Sequence, residues 1–157
     1  MNELLPRRAD NSYRGHTAAL WLFGLFLLMK AAISLGSTFN GRTAATSADG
    51  IPIDTYTPAG AQTVLSLFAL LGIANLIICL IGVVVLVRYR SLIPLMFALF
   101  LVQQVSRYPV FHFLPIVRTG TPPGSAINLA ILGVLIVGLA LSLWNRHSSL
   151  PASTANG

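Results

Sequence analysis

Lys30 and Arg107 are the residues of this 157-residue chain best placed to do chemistry, because each sits inside or at the edge of a long apolar run. A charge at the bilayer centre costs about 2.5–3.5 kcal/mol on insertion scales, so an ionisable residue within a membrane segment is a functional candidate by default. The chemistry open to a pair of cations is capture of an anion. Arg42, Arg118 and His112 fall near the same ends of the apolar runs and complete a candidate anion or lipid-headgroup site of Lys30, Arg107, Arg42, Arg118 and His112. Two simpler readings compete. Long cationic side chains near helix ends snorkel to the interface, where the negative end of the helix dipole also favours them. Alternatively, Asp49 or Asp54 folds back from the first loop to pair with them.

Amides form the second set. Gln103 and Gln104 lie four and three residues before Arg107, and His112 lies four after Tyr108, so helical spacing gathers them on one side. Lys30 and Ser34 share a face in the same way. Gly72, Asn75, Cys79 and Gly82 make a small or polar stripe, and Ala126, Ala130, Gly133 and Ala140 make another, with Asn128 beside it. Small residues let membrane helices approach, and buried amides hydrogen-bond across them for about 0.6–2 kcal/mol. Asn75, Gln103, Gln104 and Asn128 are therefore the candidate helix-packing polar residues.

The absences narrow the chemistry. All four acids, Glu3, Asp10, Asp49 and Asp54, lie outside the apolar runs, which disfavours a proton- or cation-coupled carrier. His16, His112 and His147 are too dispersed to ligate a haem or a metal. Cys79 is the single cysteine, so no internal disulfide forms and a small packing residue is its expected role. There is no phosphate-cradling glycine loop and no nucleophile elbow. Neither enzymatic activity nor a cofactor is expected, and no catalytic or metal residue is assigned.

The elements that must position these residues are four apolar runs of about 20 residues, each long enough to match a hydrocarbon core of roughly 30 Å. The chain is 55% hydrophobic and 9% charged, with mean hydropathy +0.76. The expected fold is all-α: a four-helix transmembrane bundle with spans at about 18–36, 61–87, 92–113 and 125–144. A cytoplasmic segment (1–17), extracytoplasmic loops (37–60 and 114–124) and a disordered cytoplasmic tail (145–157) account for the rest. Arg7, Arg8, Arg14, Arg88, Arg90 and Arg146 would share one side, against Arg42 and Arg118 on the other, so the positive-inside bias puts both termini in the cytoplasm. Trp21 and Trp144 fall at cytoplasmic span ends, which agrees. That bias also explains the net charge of +6 without nucleic acid, which is not an expected partner.

Three local features refine the outline. The first run carries a basic leader and a Ser34-Leu35-Gly36 triplet, but Lys30 and its length favour an anchor over a cleaved signal. In the third, Leu92 to Ser106 is too short to cross, and Pro109 removes the partner of the Val105 carbonyl, so a kink is expected near Pro109. The Arg88–Arg90 turn is tight enough to make spans two and three antiparallel neighbours. Thr57-Pro58-Ala59-Gly60 and Thr121-Pro122-Pro123-Gly124, each preceded by an Arg-Thr pair, suggest a duplicated two-helix hairpin. They also fit independent N-caps. Asp49-Gly50 marks a turn, with a short extended stretch over 50–56.

The segments Arg88-Tyr89-Arg90-Ser91-Leu92-Ile93-Pro94-Leu95-Met96-Phe97 and Leu114-Pro115-Ile116-Val117-Arg118-Thr119-Gly120-Thr121-Pro122-Pro123-Gly124 resemble stretches of small, uncharacterised bacterial four-span inner-membrane proteins. The resemblance covers most of the chain outside the tails. It implies a multi-pass protein of the bacterial inner (plasma) membrane and no assigned activity. The expected function is that of a non-enzymatic structural, accessory or oligomeric subunit. The alternative is a transporter-like or lipid-handling protein with an extracytoplasmic anion site. The expected partners are the lipid bilayer, a second copy or another membrane protein, and an anionic lipid.

Overall fold

The computed structural model describes residues 10–13, 15–120 and 123–144. The polar leader over residues 1–9, Arg14, the Thr121-Pro122 pair and the tail from residue 145 lie outside them.

All the regular structure among these residues is helical. Helix α1 (Thr17–Phe39) begins where His16 Nδ1 accepts from the Ala18 amide. After it come a single turn α2 (Gly41–Thr43), a π turn (Ala44–Ala48) and a 3-10 turn (Ile53–Thr55). Helix α3 (Pro58–Arg88) starts with Pro58 in its first turn and Thr57 Oγ1 accepting from Gly60 N at 3.2 Å. That is the N-cap geometry the Thr-Pro pair predicts. A 3-10 turn (Arg90–Leu92) leads into α4 (Ile93–Val105), then α5 (Arg107–Phe113) and α6 (Pro123–Leu143). Three of these, α1, α3 and α6, are long and apolar enough to cross a membrane.

The third expected span is not one helix. Its thirteen-residue first part, α4, is about 20 Å long. The break falls at Ser106, three residues before Pro109. The cause is the one the proline supplies: with no N–H at 109, the Val105 carbonyl has no successor in the ladder. The Ser106 hydroxyl instead turns back to Val102 O at 2.7 Å.

Helix α1 is the hub. It packs along α3 and also touches α6 and α4, while α4 packs chiefly on α6. The expected neighbours α3 and α4 touch little beyond their connecting turn, because glycines direct each helix elsewhere. A Cβ at Gly82 would strike Leu27 of α1, and one at Gly72 would strike Ser34 and Thr38. The ring of Phe97 lies against Gly138 of α6 in the same way. The space between α1 and α4 holds four phenylalanines. Phe23 meets Phe97 edge-on at 5.1 Å between centroids, and Phe26 meets Phe100 at 5.0 Å. Edge-to-face pairs contribute about 0.5–1.5 kcal/mol each beyond their contact area.

The small-residue stripe on α3 is thus a packing face, with Gly72, Cys79 and Gly82 buried. The stripe expected on α6 is not. Ala126, Ala130, Gly133 and Ala140 are exposed, and the buried face is Gly124, Ile131, Leu135, Gly138 and Ser142. Helix α6 is apolar all round, so nothing in its pattern distinguishes a face for protein from a face for lipid.

The two ends of the bundle are tied separately. At one end, Ser91 N and Oγ both donate to Asp10 O, and His16 N donates to Leu141 O at 3.1 Å. At the other, Thr119 N donates to Gly50 O at 2.8 Å, and Gly124 abuts Ala48. The first loop is an ordered cap with a small core of Ala45, Ile51 and Ile53 against Val64, Leu65 and Phe68. Gly50 takes a positive φ of 70° at the expected turn. The stretch over 50–56 is not extended. Pro52 leads into the 3-10 turn, with Thr55 N donating to Pro52 O at 3.0 Å.

Candidate functional site

A polar cluster lies between the helices at the level of Lys30 and Arg107. Asn128, in the second turn of α6, is its centre. Its side-chain oxygen accepts from Arg107 Nη1 at 2.8 Å and from Gln104 Nε2 at 3.3 Å. Gln104 also donates to the Asn128 backbone carbonyl at 3.0 Å and is only 4% exposed. One amide thereby ties α4, the start of α5 and α6 together. On the neighbouring side, Gln103 Nε2 donates to Asn75 Oδ1 at 3.1 Å, joining α4 to α3. Asn75 returns its own Nδ2 to Leu71 O at 2.8 Å. All four amides named from the sequence therefore take part in interhelical hydrogen bonds.

Lys30 enters this region from α1. It is half-buried and lies within electrostatic reach of Arg107 and of Cys79 on α3. Its carbonyl accepts from Ser34 Oγ at 2.7 Å, but its ammonium has no hydrogen-bond or ion-pair partner among the described residues. Nor is it at a helix end. Helix α1 continues to Phe39, nine residues further, about two and a half turns. The dipole effect fades within the last turn, so it does not serve Lys30. Arg107 differs, sitting just past the C-terminal carbonyls of α4, where a cation is favoured.

The remaining candidates divide. Arg118 joins the cluster indirectly: its guanidinium lies 5.1 Å over the Phe111 ring, and Arg107 lies 5.8 Å over the same ring. A cation over an aromatic face gains about 0.5–2 kcal/mol. Phe111 escaped the sequence reading, although its spacing of four from Arg107 is a usable helical signal. Arg42 belongs elsewhere, since its guanidinium is in an exposed ion pair with Asp54. That pair answers where Asp54 folds: it reaches Arg42, not Lys30 or Arg107. His112 is exposed and stacks edge-on against Phe113 at 5.4 Å. No trio of His, Cys, Asp or Glu gathers among the described residues.

Chemically, the cluster holds an ammonium without a partner, Lys30, within electrostatic reach of a guanidinium held by Asn128, and no carboxylate joins them among the described residues. A cation without a partner in apolar surroundings favours an anion beside it. No protein-family model matches the chain, and the curated proteins and solved structures likewise return no match.

Proposed function

We propose that this chain is a non-enzymatic, four-span protein of a bacterial inner membrane, both termini cytoplasmic, that holds an anionic group in the outer leaflet between Lys30 and Arg107. The four-span reading is supported by the ties at the bundle ends. Ser91 bonds Asp10 at the end where α1 begins, and Thr119 bonds Gly50 at the end where α1 finishes. The chain between Ser91 and Thr119 would then cross the bilayer as the broken pair α4–α5. A broken helix within lipid is tolerated where protein or a cavity lines the break.

The observation that carries the anion reading is that Lys30, within electrostatic reach of Arg107, has no counter-charge among the described residues. An intramembrane charge is normally paired with another charge or with backbone carbonyls, and Lys30 meets like charge instead. Snorkelling accounts for Arg107 but poorly for Lys30, which is far from the end of α1. The shared chemistry is a phosphate-like oxyanion, on a lipid headgroup or free in solution.

Native mass spectrometry from mild detergent tests this. Wild type is expected to retain phosphatidylglycerol in preference to phosphatidylcholine, and Lys30→Gln/Arg107→Gln is expected to reduce that retention at least tenfold with insertion intact. Inorganic phosphate raising the melting temperature of wild type, but not of the double variant, would identify the free-anion source. Equal lipid retention by both proteins with no phosphate effect would sink the reading.

A second reading, a self-associating accessory subunit, is favoured by the unpartnered face of Ala126, Ala130, Gly133 and Ala140. Such faces permit close helix–helix approach in lipid. Gly133→Leu would then convert a crosslinkable oligomer to a monomer, and a wild type that is monomeric in bilayers would dispose of this second role.

A further inference from the structure

At the opposite end of the bundle, an apolar groove of about 570 Å³ runs between the first turns of α1 and the last turn of α3. Leu20, Gly24, Leu28 and Leu86 line it, with Trp21 and Arg90 at the end nearer the helix termini. Gly24 forms part of its floor. A Cβ there would meet only Leu86 at 3.5 Å, ordinary contact, so a larger side chain at 24 would project into the groove. The groove gives a hydrocarbon chain a bed along the nine residues from Leu20 to Leu28, a rise of about 12 Å.

Arg90 supplies the charge. Its Nε donates to Leu86 O at 3.1 Å, which holds the guanidinium at the groove's end, and its terminal nitrogens have no hydrogen-bond partner among the described residues. It has no carboxylate partner among the described residues. Trp21 is exposed beside it, and an indole at that level belongs among headgroups.

We infer that this groove seats one anionic phospholipid, its acyl chain along Gly24 and its phosphate on Arg90, in the leaflet at the α1 N-terminal end. Guanidinium and phosphate match as a bidentate pair. This site is separate from the Lys30–Arg107 pair, because its charged end at Trp21 and Arg90 lies nine positions of α1 from Lys30, about 14 Å along the axis, and it is read by a different probe.

Trp21 reports on it directly. In full-length protein carrying Trp144→Phe, reconstituted into vesicles, Trp21 fluorescence is quenched by brominated phosphatidylglycerol or brominated phosphatidylcholine. The expected preference for the anionic lipid is about fivefold, the effect of one interfacial arginine. Arg90→Gln should remove that preference while retaining quenching, and Gly24→Leu, which projects into the groove, should lower quenching by both lipids. Equal quenching by the two lipids in the parent protein would overturn the inference. So would a preference unchanged by both substitutions, or a Trp21 shielded from either lipid, which would mean that protein covers the face.

Discussion

Asn128 carries more of the cluster than its single amide suggests, because two donors from two helices converge on one oxygen. Replacing it with Leu strands Arg107 Nη1 and leaves Gln104 Nε2 only the backbone carbonyl of residue 128, and a buried unsatisfied donor costs about 1–3 kcal/mol. Asn128→Leu is therefore expected to lower the unfolding midpoint in detergent more than Asn75→Leu, which frees only Gln103 and should cost about 0.6–2 kcal/mol. Equal midpoints for the two would show that Asn128 does not have this dual role. Tyr13 offers a separate test outside the spans. Its hydroxyl is buried with no hydrogen-bond partner among the described residues, and burial pushes its pKa up from 10.0 to about 12. The folded state thus disfavours the phenolate. This contribution to stability is complete below pH 10 and is lost as pH rises from about 10 towards 12. Alkaline unfolding in that window should be weaker in Tyr13→Phe, and an identical pH profile for the two proteins would refute the assignment.

Among the elements, glycine positions decide which helices meet. Gly138→Leu drives a side chain into the Phe97 ring and is expected to destabilise by about 1–3 kcal/mol, the usual range for overpacking. Gly133→Leu, whose Cβ would meet nothing within 4 Å, should leave monomer stability unchanged within about 0.5 kcal/mol. Thermal unfolding of the pair discriminates, and matching losses would contradict the packing described here. This contrast also marks what was legible in the sequence. Apolar length announced α1, α3 and α6, and the Thr57-Pro58 pair announced the start of α3. The polar Asn75 and Cys79 pointed to the buried face of α3. Helix α6 offered only Ser142, in its last turn, as a polar marker on its buried side, and Gly occurs on both faces, so the Ala126, Ala130, Gly133 and Ala140 stripe does not mark the face packed inside the bundle. Proline foretold the break in the third apolar run but not its position, because the clash acts on the preceding turn and Ser106 absorbed it.

For the whole molecule, Lys30 and Arg107 were legible as two isolated charges in apolar surroundings, but their coming within electrostatic reach of one another was not. Lys30 and Arg107 are 77 positions apart in the chain, and only the packing of α1 against α3 and α4 brings them within reach. Arg42 and His112 fall near the same ends of the apolar runs, yet local partners engage them: Asp54 for Arg42 and Phe113 for His112. Composition cannot anticipate such short-range competition. The ordered first loop was equally hidden, since its Ser, Thr, Ala and Gly content reads as a linker while Ile51 and Ile53 anchor it to α3. The function proposed for Lys30 depends on its depth, and that depth depends on the chain from Ser91 to Thr119 crossing the bilayer. Cysteine labelling with a membrane-impermeant maleimide measures this directly. In a Cys79→Ser background, Ser47→Cys and Val117→Cys should react in intact cells, while Tyr89→Cys should react only after permeabilisation. Val117→Cys behaving like Tyr89→Cys would mean that α4–α5 does not cross, and the outer-leaflet site would fall with it.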